Sequence, residues 1–296
     1  MHLYKVPHGV LLISGGKNYF LHEKWDTVIN RQALSSYLQK LCVDRNRIDD
    51  QRRDQFFAAG IQAPIGQQEV WAAGVTYLRS RDARMEESKD SGGADFYQKV
   101  YQAERPELFF KSAAERVAAH GEEVYIRRDS LWNVPEPELT LFINAEGTIE
   151  GYTIGNDMSS RSIEGENPLY LPQAKVYERS TALGPCLYVP ENPISTETMI
   201  SITITRNLTA VFSGSVSINR IKRPFTELVE FLYRECRFPA GCFLMTGTGI
   251  VPADDFTLQR GDIVAISIEG IGVLENTVSI MQSETNKRAA VTGEAY

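Results

Sequence analysis

From Pro137 onward, polar and apolar positions alternate with the period of an extended chain, Leu139, Leu141 and Ile143 interleaving with Glu138, Thr140 and Phe142. A period of two predicts a strand. Asn144-Ala145-Glu146-Gly147 is turn chemistry, so a return strand over about 148–154 follows and brings Asp157 back towards Glu136 and Glu138. Ile200, Ile202 and Ile204 alternate with Ser201, Thr203 and Thr205, which predicts a half-buried strand with Val211 to Ser217 as its partner. Val70-Trp71-Ala72-Ala73-Gly74-Val75 is a continuous apolar run and predicts a buried strand. Residues 263–269 form a further strand after the Gly261-Asp262 turn.

Other segments carry the helical period. Leu34, Leu38 and Leu41 predict an amphipathic helix over about 31–42. Phe225, Leu228, Val229 and Leu232 mark one face of another, with Pro224 near its start and Pro239 beyond its end. Charged helical sequence follows Thr76-Tyr77-Leu78-Arg79-Ser80-Arg81 as far as Lys89, and a second helix is expected from Asp95 to Ala103. Ser91-Gly92-Gly93 separates the two, as the joint of a mobile lid or of a plain surface pair.

These elements divide the chain into three parts. A small N-terminal α/β unit occupies 1–66, with Val10–Ile13 and Asn18–Leu21 as a hairpin and Ala63-Pro64-Ile65-Gly66 as its boundary. The main domain runs over 67–282, and a polar tail over 283–296.

With 296 residues the chain is long enough for such a division, and 43% hydrophobic with 23% charged residues is ordinary for a globular protein. A net charge of −7 argues against nucleic acid or an anionic membrane as partner. Cys42, Cys186, Cys236 and Cys242 show no C-x-x-C pairing, which fits reduced thiols. The first residues lack a signal-peptide core, and no apolar run approaches about 18 residues, so a cytoplasmic protein is expected.

The candidate chemistry lies between Glu136 and Lys175. Two acids at i and i+2 of an extended segment share a face, and Asp157 returns to them. Like charges raise one another's pKa unless a cation holds them together. With no histidine or cysteine among them, such ligands suit magnesium, manganese or calcium better than zinc. The chain has no G-x-S-x-G elbow, H-E-x-x-H, Walker A loop or G-x-G-x-x-G after a strand. His2, His8 and His22 read as surface or packing residues, and His120 sits in a polar turn, so nothing supports a histidine base. Taken alone, Glu107 and Lys111 read as solvated strand-end residues.

Pro106-Glu107-Leu108-Phe109-Phe110-Lys111, Glu136-x-Glu138-Leu139, Gly151-Tyr152-Thr153-x-Gly155-Asn156-Asp157-x-Ser159-x-Arg161, Lys175, Leu183-Gly184-Pro185 and Thr246-Gly247-Thr248-Gly249 follow one another in a characteristic order. Over roughly residues 70–280 the chain thereby resembles the fumarylacetoacetate hydrolase superfamily. The resemblance implies an α+β fold, a mixed β-sandwich roll, a magnesium or manganese ion, a 2-oxo acid or diketone substrate, and a homodimer or higher homo-oligomer. Carried residue by residue, it implies Glu136, Glu138 and Asp157 as metal ligands, Lys175 as the active-site lysine and Thr248 as a substrate contact.

One departure redirects the expected reaction. Carbon–carbon hydrolases of the family typically place a histidine where this chain has Ser80, within Gly74-Val75-Thr76-Tyr77-Leu78-Arg79-Ser80. That segment, Arg81, Glu104-Arg105-Pro106-Glu107 and 166–175 are instead similar to the 2-keto-3-deoxy-D-arabinonate dehydratase branch. The branch implies Glu107 and Lys175 as the proton-handling pair, one as base and the other as acid. Ser80, Lys111 and Thr248 are expected at the substrate, with Arg79 or Arg81 holding its carboxylate. A metal-dependent lyase acting on a 2-keto-3-deoxy sugar acid is thus expected. A hydrolase of acylpyruvates or diketo acids is the enzymatic alternative, and a silent metabolite-binding protein the other.

Overall fold

The computed structural model describes residues 1–87 and 94–282. The Ser91-Gly92-Gly93 joint and the 283–296 tail lie outside the described residues. Two large sheets, a two-stranded ribbon of Asn133–Val134 with Ser159–Ser160, and short helices confirm the expected α+β class.

The larger sheet runs, edge to edge, through Arg47–Ile48, Lys17–Leu21, Gly9–Ser14, His2–Val6, Thr181–Tyr188, Ile149–Asp157, Pro137–Ile143, Cys242–Met245, Glu69–Gly74 and Glu107–Ser112. Val117–Ala118 pairs beside this path with Thr181–Tyr188. The smaller sheet has the order Thr209–Ser217, Met199–Arg206, Ile263–Ile268, Gly272–Ile280, Glu123–Ile126. The segment before residue 66 is joined to the remainder by backbone pairing, His2 opposite Tyr188 and Leu3 opposite Leu187.

Strand pleating explains how the cores form. Leu139, Leu141 and Ile143 point to one face and pack with Ile200, Ile202, Ile204 and Val264 of the smaller sheet. Phe142 points to the other face, where Val28, Ile29, Leu34 and Leu38 cover it with Val70 and Phe243. The Pro137–Ile143 strand is therefore buried at every position, although its sequence alternates. Met199–Arg206 keeps the half-buried pattern its sequence predicts.

The helix predicted over 31–42 is shorter, Leu34–Leu41, and follows a separate turn of helix at Trp25–Ile29. The other helices form at Leu78–Glu87, Ala94–Gln102 and Phe225–Tyr233. Asp50–Ala58 is a helix that periodicity did not announce. Its start is marked by a side-chain cap, Asp49 Oδ1 accepting from Arg52 N at 2.8 Å.

Candidate metal and catalytic site

The hairpin formed by Pro137–Ile143 and Ile149–Asp157 delivers the acids. Glu136 N donates to Asp157 O at 3.1 Å, and Asp157 N donates back to Glu136 O at 3.0 Å. In the same register Glu138 stands opposite Gly155. A Cβ on Gly155 would lie 2.3 Å from Thr140 Oγ1 and 2.7 Å from Met245 Cε, so only glycine fits there. Glu136, Glu138 and Asp157 are buried, and one carboxylate oxygen from each lies within 4.8 Å of the others.

Buried cations brace this cluster. Lys175, at the end of the Leu171–Lys175 helix, places Nζ 2.8 Å from Glu136 Oε2, 3.0 Å from Asp157 Oδ2 and 2.6 Å from Ser159 Oγ. Lys111 approaches from behind, with Nζ 2.6 Å from Asp157 Oδ1 and donating to Met158 O at 3.1 Å and to Lys175 O. Arg161 Nη2 donates to Glu136 Oε1 at 2.9 Å. Arg161 also lies 3.9 Å from Glu164 Oε2, and Glu164 is ion-paired with Arg84.

Five carboxylates (Glu107, Glu136, Glu138, Asp157, Glu164) thus face four cations (Arg84, Lys111, Arg161, Lys175), and the imbalance falls on Glu138. Burial pushes its carboxyl well above the usual range, and the charges of Asp157 and Glu136 add to the effect. Burial acts on Glu136 too, but Lys175, Arg161 and Arg84 outweigh it and hold that carboxyl low. Burial opposes the Lys175 charge, yet Asp157 and Glu136 raise its pKa above the ordinary lysine value. Lys111 is lowered, burial exceeding the pull of Asp157. Three converging oxygen donors, whose burial and crowding raise the Glu138 pKa, fit a hard divalent cation: magnesium, manganese or calcium.

The cavity at this cluster encloses only about 10 Å³. Ser80, Arg84, Phe109, Lys175 and Thr248 line it together with the three acids. Ser80 Oγ donates to Tyr77 O at 2.8 Å, and Thr248 Oγ1 donates to Ile250 O at 3.2 Å. Glu107 stands at the cavity's edge. Its Oε2 is buried without a hydrogen-bond partner among the described residues, and it would lie 2.0 Å from a Cβ on Gly74. Burial raises the Glu107 pKa against the opposing charge of Arg84, with Glu164 adding to the rise.

The structure does not bring every candidate side chain to the cavity. Arg79 is exposed, while Arg81 pairs with Asp82 and stacks over the Tyr101 ring at 5.1 Å. Lys111 supports Asp157 and is absent from the cavity wall. On the Leu78–Glu87 helix, the residue that shares a face with Ser80 is Arg84, one turn later. Arg84 and Glu164 were not singled out from the sequence, although the Ser80/Arg84 and Arg161/Glu164 spacings both signal common helix faces.

The fumarylacetoacetate hydrolase C-terminal profile matches residues 70–279. A probable 2-keto-3-deoxyxylonate dehydratase of Haloferax volcanii is 43% identical over 252 residues, covering 85% of this chain and 84% of the relative. The 2-dehydro-3-deoxy-D-arabinonate dehydratase of Saccharolobus solfataricus is 43% identical over 218 residues, 72% of each chain. The solved structure of a 2-keto-3-deoxy-D-arabinonate dehydratase complexed with magnesium and 2,5-dioxopentanoate superposes with a TM-score of 0.81 at 35% identity, covering 96% of this chain and all of that one. With the profile spanning most of its length and the same fold in its relatives, the chain belongs to the fumarylacetoacetate hydrolase family.

Proposed function

We propose that this protein is a magnesium-dependent dehydratase that removes water from a 2-keto-3-deoxy sugar acid, such as 2-keto-3-deoxy-D-arabinonate, to give an oxo-aldehyde acid. The observation that carries the reading is the placement of Lys175 and Glu107 around one buried three-carboxylate cluster. The dehydratase relatives and the complex with magnesium and 2,5-dioxopentanoate support the same substrate class.

Glu136, Glu138 and Asp157 would hold the ion. When bound, it supplies positive charge that polarises the 2-keto oxygen, steadies the charge left when the C3 proton departs, and offsets the carboxylates that hold the Lys175 proton. Lys175 is the inner group and takes the C3 proton. Glu107, whose raised pKa favours its protonated form, donates to the departing C4 hydroxyl. The resulting unsaturated alcohol moves a hydrogen from C5 to C3 to give an enol, whose hydroxyl hydrogen then passes to C4 to leave the aldehyde, so the net change is loss of one water. Thr248 and Ser80 shape the wall facing the substrate, and Arg84, ion-paired with Glu164, brings positive charge to the same wall, towards the substrate carboxylate. Lys111 keeps Asp157 oriented. Ser80 is engaged with Tyr77, which leaves carbon–carbon hydrolysis without a base at the position where a histidine would serve it.

The reading extends to a cytoplasmic enzyme that works as a homodimer or larger homo-oligomer. Four unpaired cysteines support the compartment, and the exposed edge strand Thr209–Ser217 offers an assembly surface. No described helix is long and apolar enough to cross a membrane. Incubation with Mg²⁺ and 2-keto-3-deoxypentonates tests the reaction. Loss of water to an oxo-aldehyde is expected; release of pyruvate would assign a hydrolase instead, and tight binding without turnover a silent binding protein.

A further inference from the structure

Beside the small reaction cavity lies a second, much larger one of about 550 Å³, lined among the described residues chiefly by Tyr97, Val100, Pro106, Pro168 and Leu169. Glu107 belongs to its wall as well, while the buried Glu107 carboxyl abuts Gly74 of the reaction cavity. One side chain therefore divides the two spaces. The inner cavity, at about 10 Å³, holds roughly one water. A sugar acid anchored there by its carboxylate and keto oxygens has to extend past Glu107, and the outer cavity is the space it enters.

The lining of that outer space is mostly apolar, with Asn167 and the Arg105 guanidinium at its polar margin. Asn167 Oδ1 accepts from Leu169 N at 2.9 Å, and the Arg105 guanidinium stacks on the Phe231 ring at 5.4 Å. A hydroxyl placed against Tyr97, Val100, Pro106 and Leu169 would trade water for apolar surface, whereas a methyl group would lose nothing. We infer that this cavity is a subsite for the distal end of the substrate, selecting 2-keto-3-deoxy acids that carry a small apolar group beyond C5 over those ending in a further hydroxymethyl. The inference rests on the proposed dehydration and adds a specificity to it.

The test compares kcat/KM, with Mg²⁺ present, for a five-carbon 2-keto-3-deoxy acid and two six-carbon ones. One six-carbon acid ends in a methyl group and the other in a hydroxymethyl. The methyl-terminated acid is expected to exceed the hydroxymethyl one by about ten-fold. Leu169 is 83% exposed, so Leu169→Ser, alone and with Val100→Ser, keeps the fold and brings the ratio towards one. Turnover of the five-carbon acid with a wild-type ratio near one, or a ratio that the variants leave unmoved, overturns the subsite alone. Absence of dehydration with all three acids overturns the reaction and the subsite together.

Discussion

The Lys175 ammonium lies 2.8 Å from Glu136 Oε2, so the group assigned to the C3 proton is ion-paired with an assigned metal ligand. The lysine thereby offsets carboxylate charge while contributing nothing to metal coordination. Lys175→Met should lower turnover by about 10²–10⁴. Divalent cations should still raise the melting temperature of this variant. Activity within ten-fold of the parent would remove Lys175 from the proton-handling role.

Glu138 gives the opposite dissection. Its folded pKa is raised, so in the metal-free protein the group opposes folding above its unfolded value, near 4.5, and does so increasingly with pH until the folded pKa is passed. Glu138→Gln should therefore melt higher than the parent in EDTA at neutral pH. The difference should shrink as the pH falls towards 4.5. The same variant should lose its response to Mg²⁺ together with its activity. A metal-free melting temperature below the parent at pH 7–8 would contradict the charge imbalance.

Gly74 tests the seat of Glu107. Its added Cβ would meet the end of the Glu107 side chain at 2.0 Å, and that flexible carboxylate would move aside. Gly74→Ala should cost about 10²-fold in kcat, because a proton donor displaced by about 1 Å no longer meets its target. Its thermal stability and Mg²⁺ response should stay near those of the parent. Full activity would show that Glu107 need not sit where the structure has it.

Glu164 lies between two guanidiniums, within salt-bridge reach of Arg161 and paired with Arg84, and is only 1% exposed. Truncation leaves buried charge without its counter-charge. Glu164→Ala should destabilise the fold by about 3–5 kcal/mol in chemical denaturation. A loss below about 1 kcal/mol would mean that water or another carboxylate replaces it.

Local pattern carried much of this architecture into view. The alternation after Pro137 marked the strand, and the turn at 144–147 forecast the return of Asp157, because both are properties of neighbouring residues. The burial of both faces of Pro137–Ile143 was not legible there. It depends on helices more than 90 positions away in sequence. The arginines illustrate the same limit. Arg79 and Arg81 stood out by adjacency to Ser80, yet helical geometry turns the face of Ser80 towards Arg84. Glu164 becomes visible only once two helices have met, since its partner Arg84 belongs to another element.

The pairing of His2–Val6 with Thr181–Tyr188 has a consequence for how the chain is made. During synthesis the hairpin of His2–Val6 and Gly9–Ser14 has to wait for residue 188 before it can take its place in the large sheet. At about 5–20 residues per second that delay is on the order of 10–40 s. Until then Ile149–Asp157, the strand ending in Asp157, lacks its neighbour Thr181–Tyr188 on one side. The strand that ends in Asp157 therefore gains its full set of neighbours only after residue 188 has emerged, a physical delay between making the acids and fixing their positions.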